Sequence, residues 1–135
     1  MEIKMSPIGY IKSNYKEKKE IPRQSIFAKD EKATIEILEE YKEGIQDIKE
    51  GSYGVVLFHF HKSEEYTLKT VSHKTGEWMG VFSTRSPNRP NGIGMSIVKI
   101  TKIDGSIIEF QGVDMVDGTP VLDIKPYSEE LNPKL

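Results

Sequence analysis

The chain of 135 residues has the length of one domain, contains no cysteine, and carries 19 basic and 21 acidic residues for a net charge of −2. These values exclude a disulfide framework, a cysteine nucleophile, and a surface basic enough to attract nucleic acid over its whole extent. Contacts with a polyanion must therefore be local. Two basic segments offer them, residues 12–19 with Arg23 and residues 74–89.

No segment is typical of a membrane protein. The longest apolar run, Val55 to Phe58, is far too short to span a bilayer, and the N-terminus lacks the basic and then apolar pattern of a signal peptide. We therefore expect a cytoplasmic protein without membrane contact. No repeat, low-complexity tract or linker divides the sequence, so we expect residues 1–135 to form a single domain.

Short runs rich in β-branched and aromatic residues, separated by turn residues, predict strands. The run from Tyr53 to His61 is the clearest, and we expect it to be central and buried on both faces. Residues 33–41 also keep a helical spacing at Ile35, Leu38 and Tyr41, so a helix is the alternative there. In chain order the predicted strands cover residues 5–12, 33–41, 53–61, 66–72, 78–83, 94–103, 106–113 and 120–127.

Turn residues connect these strands. Asp104-Gly105 favours the positive φ angles of a two-residue hairpin turn, and residues 14–24 are expected to form a long ordered loop. Many short strands without a convincing long helix predict a mainly β protein, built as a barrel or a strongly curved sheet. No Gly-x-Gly-x-Gly word stands between a strand and a helix, so a Rossmann site is not supported.

The segment from Thr84 to Gly94 joins two predicted strands and contains two Arg, two Asn, two Pro and two Gly in eleven residues. Proline restricts φ, glycine allows a close approach of the backbone, and arginine donates paired hydrogen bonds to a carboxylate or phosphate. This composition predicts a rigid cationic loop that binds a polar ligand. The alternative is a structural connection with surface arginines.

A second segment, Asp114 to Tyr127, places three carboxylates among apolar residues and includes a turn that begins at Asp117. A carboxylate would stabilise a neighbouring cation such as a sulfonium. The side chain of Asp117 would equally well cap the turn, and the sequence alone does not separate these two roles.

Together these segments resemble the TsaA-like family of tRNA methyltransferases, also called the TrmO family. The matching words are GVFSTRSPNRPNGIGMS at residues 80–96 and DGTPVLDIKPY at residues 117–127, and the start, PIGYIKSNYKEKKEIPRQ at residues 7–24, is similar as well. The resemblance implies a single-domain, β-barrel-like, non-Rossmann methyltransferase that acts as a homodimer. It would use S-adenosylmethionine to N6-methylate threonylcarbamoyl-adenosine at position 37 of tRNA, beside the anticodon.

The residues that match the family's cofactor contacts are spread along the sequence. The resemblance implies that they are Pro22, Arg23, Gln24, His61, Lys62, Arg85, Met95, Asp114, Met115, Val116 and Asp117. Arg89 and Asn91 share the loop with Arg85 and are expected to bind the substrate. The anions open to these three residues are the carboxylate of the cofactor, the carboxylate of the modified base and tRNA phosphates. Methyl transfer depends mainly on positioning and electrostatics. A weak proton acceptor suffices, and the candidates are Asp114, Asp117 and Tyr127.

The sequence departs from the family pattern at several positions. Gly92 stands where the family usually has proline, Tyr53 stands where it usually has histidine, and the word Arg-Pro-Pro-Arg is absent near residues 71–74. The sequence also ends shortly after Tyr127, so we expect a short form without the C-terminal extension of longer relatives. Cofactor binding is expected to survive these differences better than substrate identity.

Two other functions remain open. A non-catalytic β-barrel module that binds RNA or a nucleotide-like ligand is favoured by the short C-terminus and the near-neutral charge. A metal-dependent, oxygenase-like barrel is suggested only by His59 and His61, which would project from one face of a strand. With His73 as the one further histidine and no placed carboxylate, we expect no metal site.

Overall fold

A computed structural model describes residues 1–16 and 31–132 of the chain. Two short 3-10 helices, Glu39–Ile45 and Val81–Ser83, occur in these ranges, and no described helix is long and apolar enough to cross a membrane. The described strands are β1 (Gly9–Lys12), β2 (Lys32–Ile37), β3 (Tyr53–His59), β4 (Lys69–Val71), β5 (Trp78–Gly80), β6 (Ile93–Asp104), β7 (Ile107–Gln111) and β8 (Pro120–Pro126).

Six strands close into a barrel in the order β1-β2-β7-β6-β3-β8, and all of the neighbours are antiparallel. The pairs Gly9↔Val121 and Tyr10↔Pro120 join β8 back to β1. The other two strands, β4 and β5, form a separate two-stranded ribbon. The prediction of a mainly β, barrel-like and non-Rossmann fold is therefore confirmed.

Alternation along the strands fills the barrel, because successive side chains point to opposite faces. In β6 the inward positions from Gly94 to Ile100 are buried, whereas the outward residues Ile93, Met95 and Ile97 are exposed although they are apolar. The most deeply buried members of the core are Ile11, Ile35, Val56, Val98, Ile108, Phe110, Val113, Met115 and Val121.

The structure differs from the strand predictions mainly at their ends. Residues 33–41 form a strand only as far as Ile37, and the 3-10 helix Glu39–Ile45 follows, so both spacings of this region have a structural counterpart. Strand β3 ends at His59, two residues before the predicted end, and its residues 54–56 are buried as expected. Strand β5 ends at Gly80 because the chain turns into a 3-10 helix.

The hairpin between β6 and β7 is confirmed, but its turn lies one residue later than predicted. Asp104 still pairs with Ile107, so the two turn residues are Gly105 and Ser106. Gly105 has a φ of +62° while Ser106 does not share the left-handed region. A glycine with positive φ at the first turn position is the pattern of a type II′ turn, which explains the shift. The predicted loop at residues 14–24 lies outside the described residues beyond residue 16.

Candidate active site

A cleft of about 930 Å³ opens beside the first half of β6. The end of β3 with the residues after it, the loop from Thr84 to Arg89, the start of β6, and residues 112–119 all contribute to its walls. The cleft thus joins the two segments that the sequence singled out. The predicted site residues that line it are His61, Lys62, Arg85, Arg89, Met95, Asp114, Met115 and Val116.

Gly94 shapes the floor of this cleft. A Cβ at this position would lie 2.4 Å from Cζ of Phe58 and 2.8 Å from Cζ of Phe60. The rings of Phe58 and Phe60 meet edge to face, with centroids 5.1 Å apart. Only a residue without a side chain lets the two aromatic rings pack this closely against β6.

Asp114 is the carboxylate that faces the cleft. Its Oδ1 accepts a hydrogen bond of 2.6 Å from Oγ of Ser96, which is itself buried at an inward position of β6. Burial raises the pKa of the Asp114 carboxyl above its ordinary value, while the hydrogen bonds from Ser96 and from its own backbone oppose the shift. The hydrogen bond from Ser96 and the bond from its own backbone therefore hold the carboxylate in one orientation.

His61 lies on the wall of the cleft near residues 112–119, with Nε2 3.8 Å from the point where a Cβ on Gly118 would stand. Its Nδ1 is buried and has no hydrogen-bond partner among the described residues. Burial lowers the pKa of the imidazole, and the charges of Lys62 and His59 lower it further, whereas the backbone of His59 opposes them. The lowered pKa favours the neutral imidazole, whose Nδ1 lies beneath the surface of the cleft.

The two arginines of the loop have different environments. Nη1 of Arg89 donates to the carbonyl oxygens of Thr84 at 3.0 Å and Ser86 at 3.1 Å, so this guanidinium holds the loop itself. Arg85 is exposed, and within the described ranges it makes no hydrogen bond or ion pair. Its complete donor fork is therefore free for a ligand in the cleft.

Met115 and Val116 are core residues as well as lining residues, since their exposed fractions are only 1% and 6%. The carbonyl oxygen of Met115 accepts from Oγ of Ser13, and that of Val116 accepts from the hydroxyl of Thr119. These contacts fix the backbone beside Asp114. Both residues serve to position the segment, and little of their own surface is available to a ligand.

Asp117 lies outside the cleft. Its Oδ1 accepts from the backbone N–H of Ser13 at 3.0 Å, and its Oδ2 forms an ion pair with Nζ of Lys16 at 2.9 Å. Lys16 and the N–H of Ser13 lower the pKa of this carboxyl. Asp117 therefore ties the start of β8 to the end of β1, which is a structural role close to the capping role that the sequence had left open.

Asp117 lines a separate groove of about 470 Å³ that also contains Lys12 and Lys32. Each of these lysines is already matched, Lys12 with Glu36 at 3.1 Å and Lys32 with Glu109 at 3.3 Å. Ion pairs neutralise the groove, so it is a weaker candidate for an anionic ligand than the cleft.

Two further predicted residues, Asn91 and Tyr127, lie outside the cleft, and three others are not among the described residues. Asn91 is exposed on the loop and does not line it. The backbone of Tyr127 donates to the carbonyl oxygen of Tyr53, at the end of β3 opposite to the cleft. Pro22, Arg23 and Gln24 lie outside the described residues.

The prediction that His59 and His61 project from one strand face is wrong, because β3 ends at His59 and the alternation of side chains ends with it. The described residues contain no group of three or more His, Cys, Asp or Glu that could hold a metal ion. Sequence reasoning also missed Ser96. The signal was a small polar residue at an inward position of the alternating strand β6, where an apolar residue is the usual occupant.

Known proteins resemble the chain over almost its whole length. The family model for the tRNA-methyltransferase O N-terminal domain matches residues 10–132. A Pyrococcus abyssi protein named as a probable S-adenosyl-L-methionine-binding protein is 44% identical over 93% of this chain and 68% of its own length. A tRNA (adenine(37)-N6)-methyltransferase of Mus musculus is 40% identical over 90% of this chain.

Solved structures agree. The crystal structure of TrmO from Pseudomonas aeruginosa has a TM-score of 0.83 and 37% identity over 99% of this chain. The chain spans 60% of that crystallised protein and 30% of the mouse enzyme. Because the family model covers all but the ends of the chain and the barrel is shared, this protein belongs to the tRNA-methyltransferase O N-terminal domain family.

Proposed function

We propose that this chain binds S-adenosylmethionine in the cleft and transfers its methyl group to N6 of the adenosine at position 37 of tRNA, in its threonylcarbamoyl-modified form. The observation that carries the proposal is the convergence of Arg85, His61 and Asp114 on one cleft of about 930 Å³. Membership of the family and the names of the relatives support the same cofactor and the same reaction.

The residues of the cleft fit the chemistry of S-adenosylmethionine, which combines a cationic sulfonium, an amino-acid carboxylate and a nucleoside. Asp114 offers a partly buried negative charge to a cation. Arg85 offers a free donor fork to a carboxylate. Phe60 and Met95 offer apolar surface to the nucleoside, and His61 also lines the cleft.

When bound, S-adenosylmethionine supplies an electrophilic methyl group. The chain's own residues have to orient the adenosine and take up the proton that N6 loses when the new N–C bond forms. Among Asp114, Asp117 and Tyr127, we assign this proton to Oδ2 of Asp114, because only Asp114 lies in the cleft. Its raised pKa strengthens it as an acceptor, and Ser96 keeps its other oxygen fixed.

We also propose that the protein acts on tRNA in the cytoplasm as a homodimer. The outward side chains of Ile93, Met95 and Ile97 form an exposed apolar stripe along the wall of the cleft, and a second copy docked at the cleft would cover part of it. Sedimentation at tens of micromolar protein tests this, and we expect a dimer. A strictly monomeric protein would contradict the proposed dimer.

The decisive experiment is methyl transfer from labelled S-adenosylmethionine to two tRNA samples, one threonylcarbamoylated and one unmodified at position 37. We expect the label in N6-methylated nucleoside from the first sample, identified by mass analysis. Transfer to unmodified tRNA alone would mean that the substrate is the unmodified adenosine. Equal labelling of both samples would exclude the threonylcarbamoyl group as a determinant of the substrate.

Cofactor binding is measured separately by calorimetry and thermal stabilisation, because a ligand that binds the folded state raises its stability. If neither S-adenosylmethionine nor its demethylated product gives a signal at millimolar concentration, the cofactor assignment is wrong. If the cofactor and RNA bind but no methyl group moves, the chain is the non-catalytic module that the sequence left open.

A further inference from the structure

The ribbon of β4 and β5 has one face that the protein leaves uncovered. The register Lys69↔Gly80 and Val71↔Trp78 places these four residues on one face, since opposite residues of a ladder and alternate residues of a strand share a side. All four are exposed, whereas Thr70 and Met79 on the other face are partly buried. Trp78 is 72% exposed, an unusual state for the largest apolar side chain.

The space around Gly80 on the exposed face is open. Gly80 lies two residues after Trp78 on the same face, and nothing stands within 4 Å of the position that its Cβ would occupy. Lys69 is the diagonal neighbour of Trp78, at a spacing of roughly 7–8 Å in such ladders. An aromatic ring, an open floor and a cation are therefore adjacent.

The ribbon holds this face in a fixed position. Its turn is closed by hydrogen bonds from Ser72 N–H to the carbonyl oxygen of Glu77 at 2.9 Å and from Gly76 N–H to the carbonyl oxygen of Ser72 at 2.8 Å. At its base, Val81 is buried and donates to the carbonyl oxygen of Leu68 at 2.9 Å. A surface that is already held in one conformation loses little conformational entropy when a ligand binds to it.

The position and the charge of this face of the ribbon indicate what it binds. His73 in the ribbon's turn and Phe82 just after β5 line the cleft, so the ribbon lies at the rim of the cleft. Residues 62–89 contain five Lys or Arg and three Glu, although the whole chain has a net charge of −2. Lys69 and Lys74 have no ion pair within the described ranges. This region is thus complementary to a polyanion, and an uncovered indole is a surface on which unpaired bases stack.

We propose that Trp78 and Lys69 form a stacking platform for an unpaired nucleotide of the substrate RNA, next to the nucleotide that enters the cleft. The indole would stack on the base, and Lys69 would contact a neighbouring phosphate. This inference rests on the proposed function, because an adenosine in the cleft brings the adjacent nucleotides of the anticodon loop to its rim.

Trp78 is the single tryptophan of the chain, so its fluorescence reports directly on this site. We expect an anticodon stem-loop RNA to quench the indole emission in a saturable manner. Stacking on an aromatic side chain is worth enough that Trp78→Ala should weaken the binding of labelled RNA roughly five- to hundredfold. Trp78→Phe should recover most of the loss, and Lys69→Ala should lower the slope of log affinity against log salt by about one.

Tyr41→Ala is the matched control, because Tyr41 is an exposed aromatic residue in the 3-10 helix near the far end of β6 and should leave RNA affinity unchanged. Unchanged indole emission on RNA binding, unchanged affinity of Trp78→Ala, or no RNA binding by the wild type would each overturn the proposal. Emission that changes with protein concentration alone would also overturn it, since a second copy would then cover the indole.

Parallel assays separate this proposal from the proposed function. If the protein methylates tRNA while Trp78→Ala keeps the wild-type KM for tRNA, the platform is wrong and the enzyme assignment stands. If RNA quenches Trp78 and the variant weakens binding while no methyl group is transferred, the platform stands and the enzyme assignment fails. With both correct, Trp78→Ala raises KM for tRNA and leaves kcat and cofactor affinity near wild type.

Discussion

The loop from Thr84 to Arg89 and the segment from Asp114 to Asp117 each contain two residues of the same type in opposite states. Arg89 is bound by the loop's own carbonyl oxygens, whereas Arg85 is free within the described ranges. Asp117 is bound by the end of β1, whereas Asp114 faces the cleft. In both regions one residue maintains the fold and the other is available to a ligand. The hydrogen-bond partners of each side chain determine its role.

Gly94 gives the largest expected effect, because it supports the cleft between these two regions. The clash of a new Cβ with Phe58 and Phe60 should cost about 3 kcal/mol, the upper part of the range for overpacked cores, and should distort the cleft. Chemical denaturation of Gly94→Ala measures the loss. Gly80→Ala is the control, since nothing lies within 4 Å of its Cβ, and equal midpoints for both variants would contradict the packing argument.

The arginine pair comes next. Arg85→Lys keeps the charge but removes the fork, so cofactor or RNA affinity should fall about tenfold to hundredfold, equivalent to about 1.5–3 kcal/mol, without a change in stability. Arg89→Lys should instead lower the free energy of unfolding by about 1 kcal/mol, because the loop loses its two carbonyl contacts. Calorimetry with the cofactor and with RNA measures the affinities of both variants, and chemical denaturation measures their free energies of unfolding. Wild-type affinities for Arg85→Lys would mean that this loop is only structural.

Asp114→Asn should separate activity from stability. We expect methyl transfer to be lost while the stability at neutral pH rises slightly, because a partly buried charge is removed. A raised pKa contributes stability that is complete below the unfolded pKa and is lost as pH rises through the folded pKa. The advantage of the variant should therefore be absent in acid and appear as pH rises. A variant that is less stable than wild type at neutral pH would indicate that the hydrogen bonds of the ionised carboxylate outweigh the effect of its burial.

Asp117→Asn should show the opposite sign and the smallest effect. The lowered pKa of Asp117 contributes stability that is present above the unfolded pKa and is lost as pH falls through the folded pKa. The variant should be less stable at neutral pH by no more than about 1 kcal/mol, since Lys16 is well exposed. The difference should vanish in acid, and methyl transfer should continue. Thermal midpoints across the acid range, compared with those of Asp114→Asn, test the reversal.

Composition and motif predicted the barrel, most strands and the two segments that line the cleft, because these depend on alternation and on long matching motifs. The sequence could not decide between Asp114 and Asp117, since the difference lies in the backbone N–H of Ser13, far away in the chain. It could not predict the roles of Arg85 and Arg89 for the same reason. The hairpin shifted by one residue because the position of the glycine within a turn, and not its presence, sets the turn type.

The closure of the barrel has a consequence for folding. Strand β1 is bounded by β2 on one side and by β8 on the other, and β8 is the last strand of the barrel in the chain. The edge of β1 that pairs with β8 therefore remains unpaired until nearly all of the barrel residues have been synthesised. Contacts between such distant parts of a sequence slow folding, and an unpaired edge attracts other chains. We therefore expect the yield at high expression rates to be limited by aggregation of chains in which β1 and β8 have not yet paired.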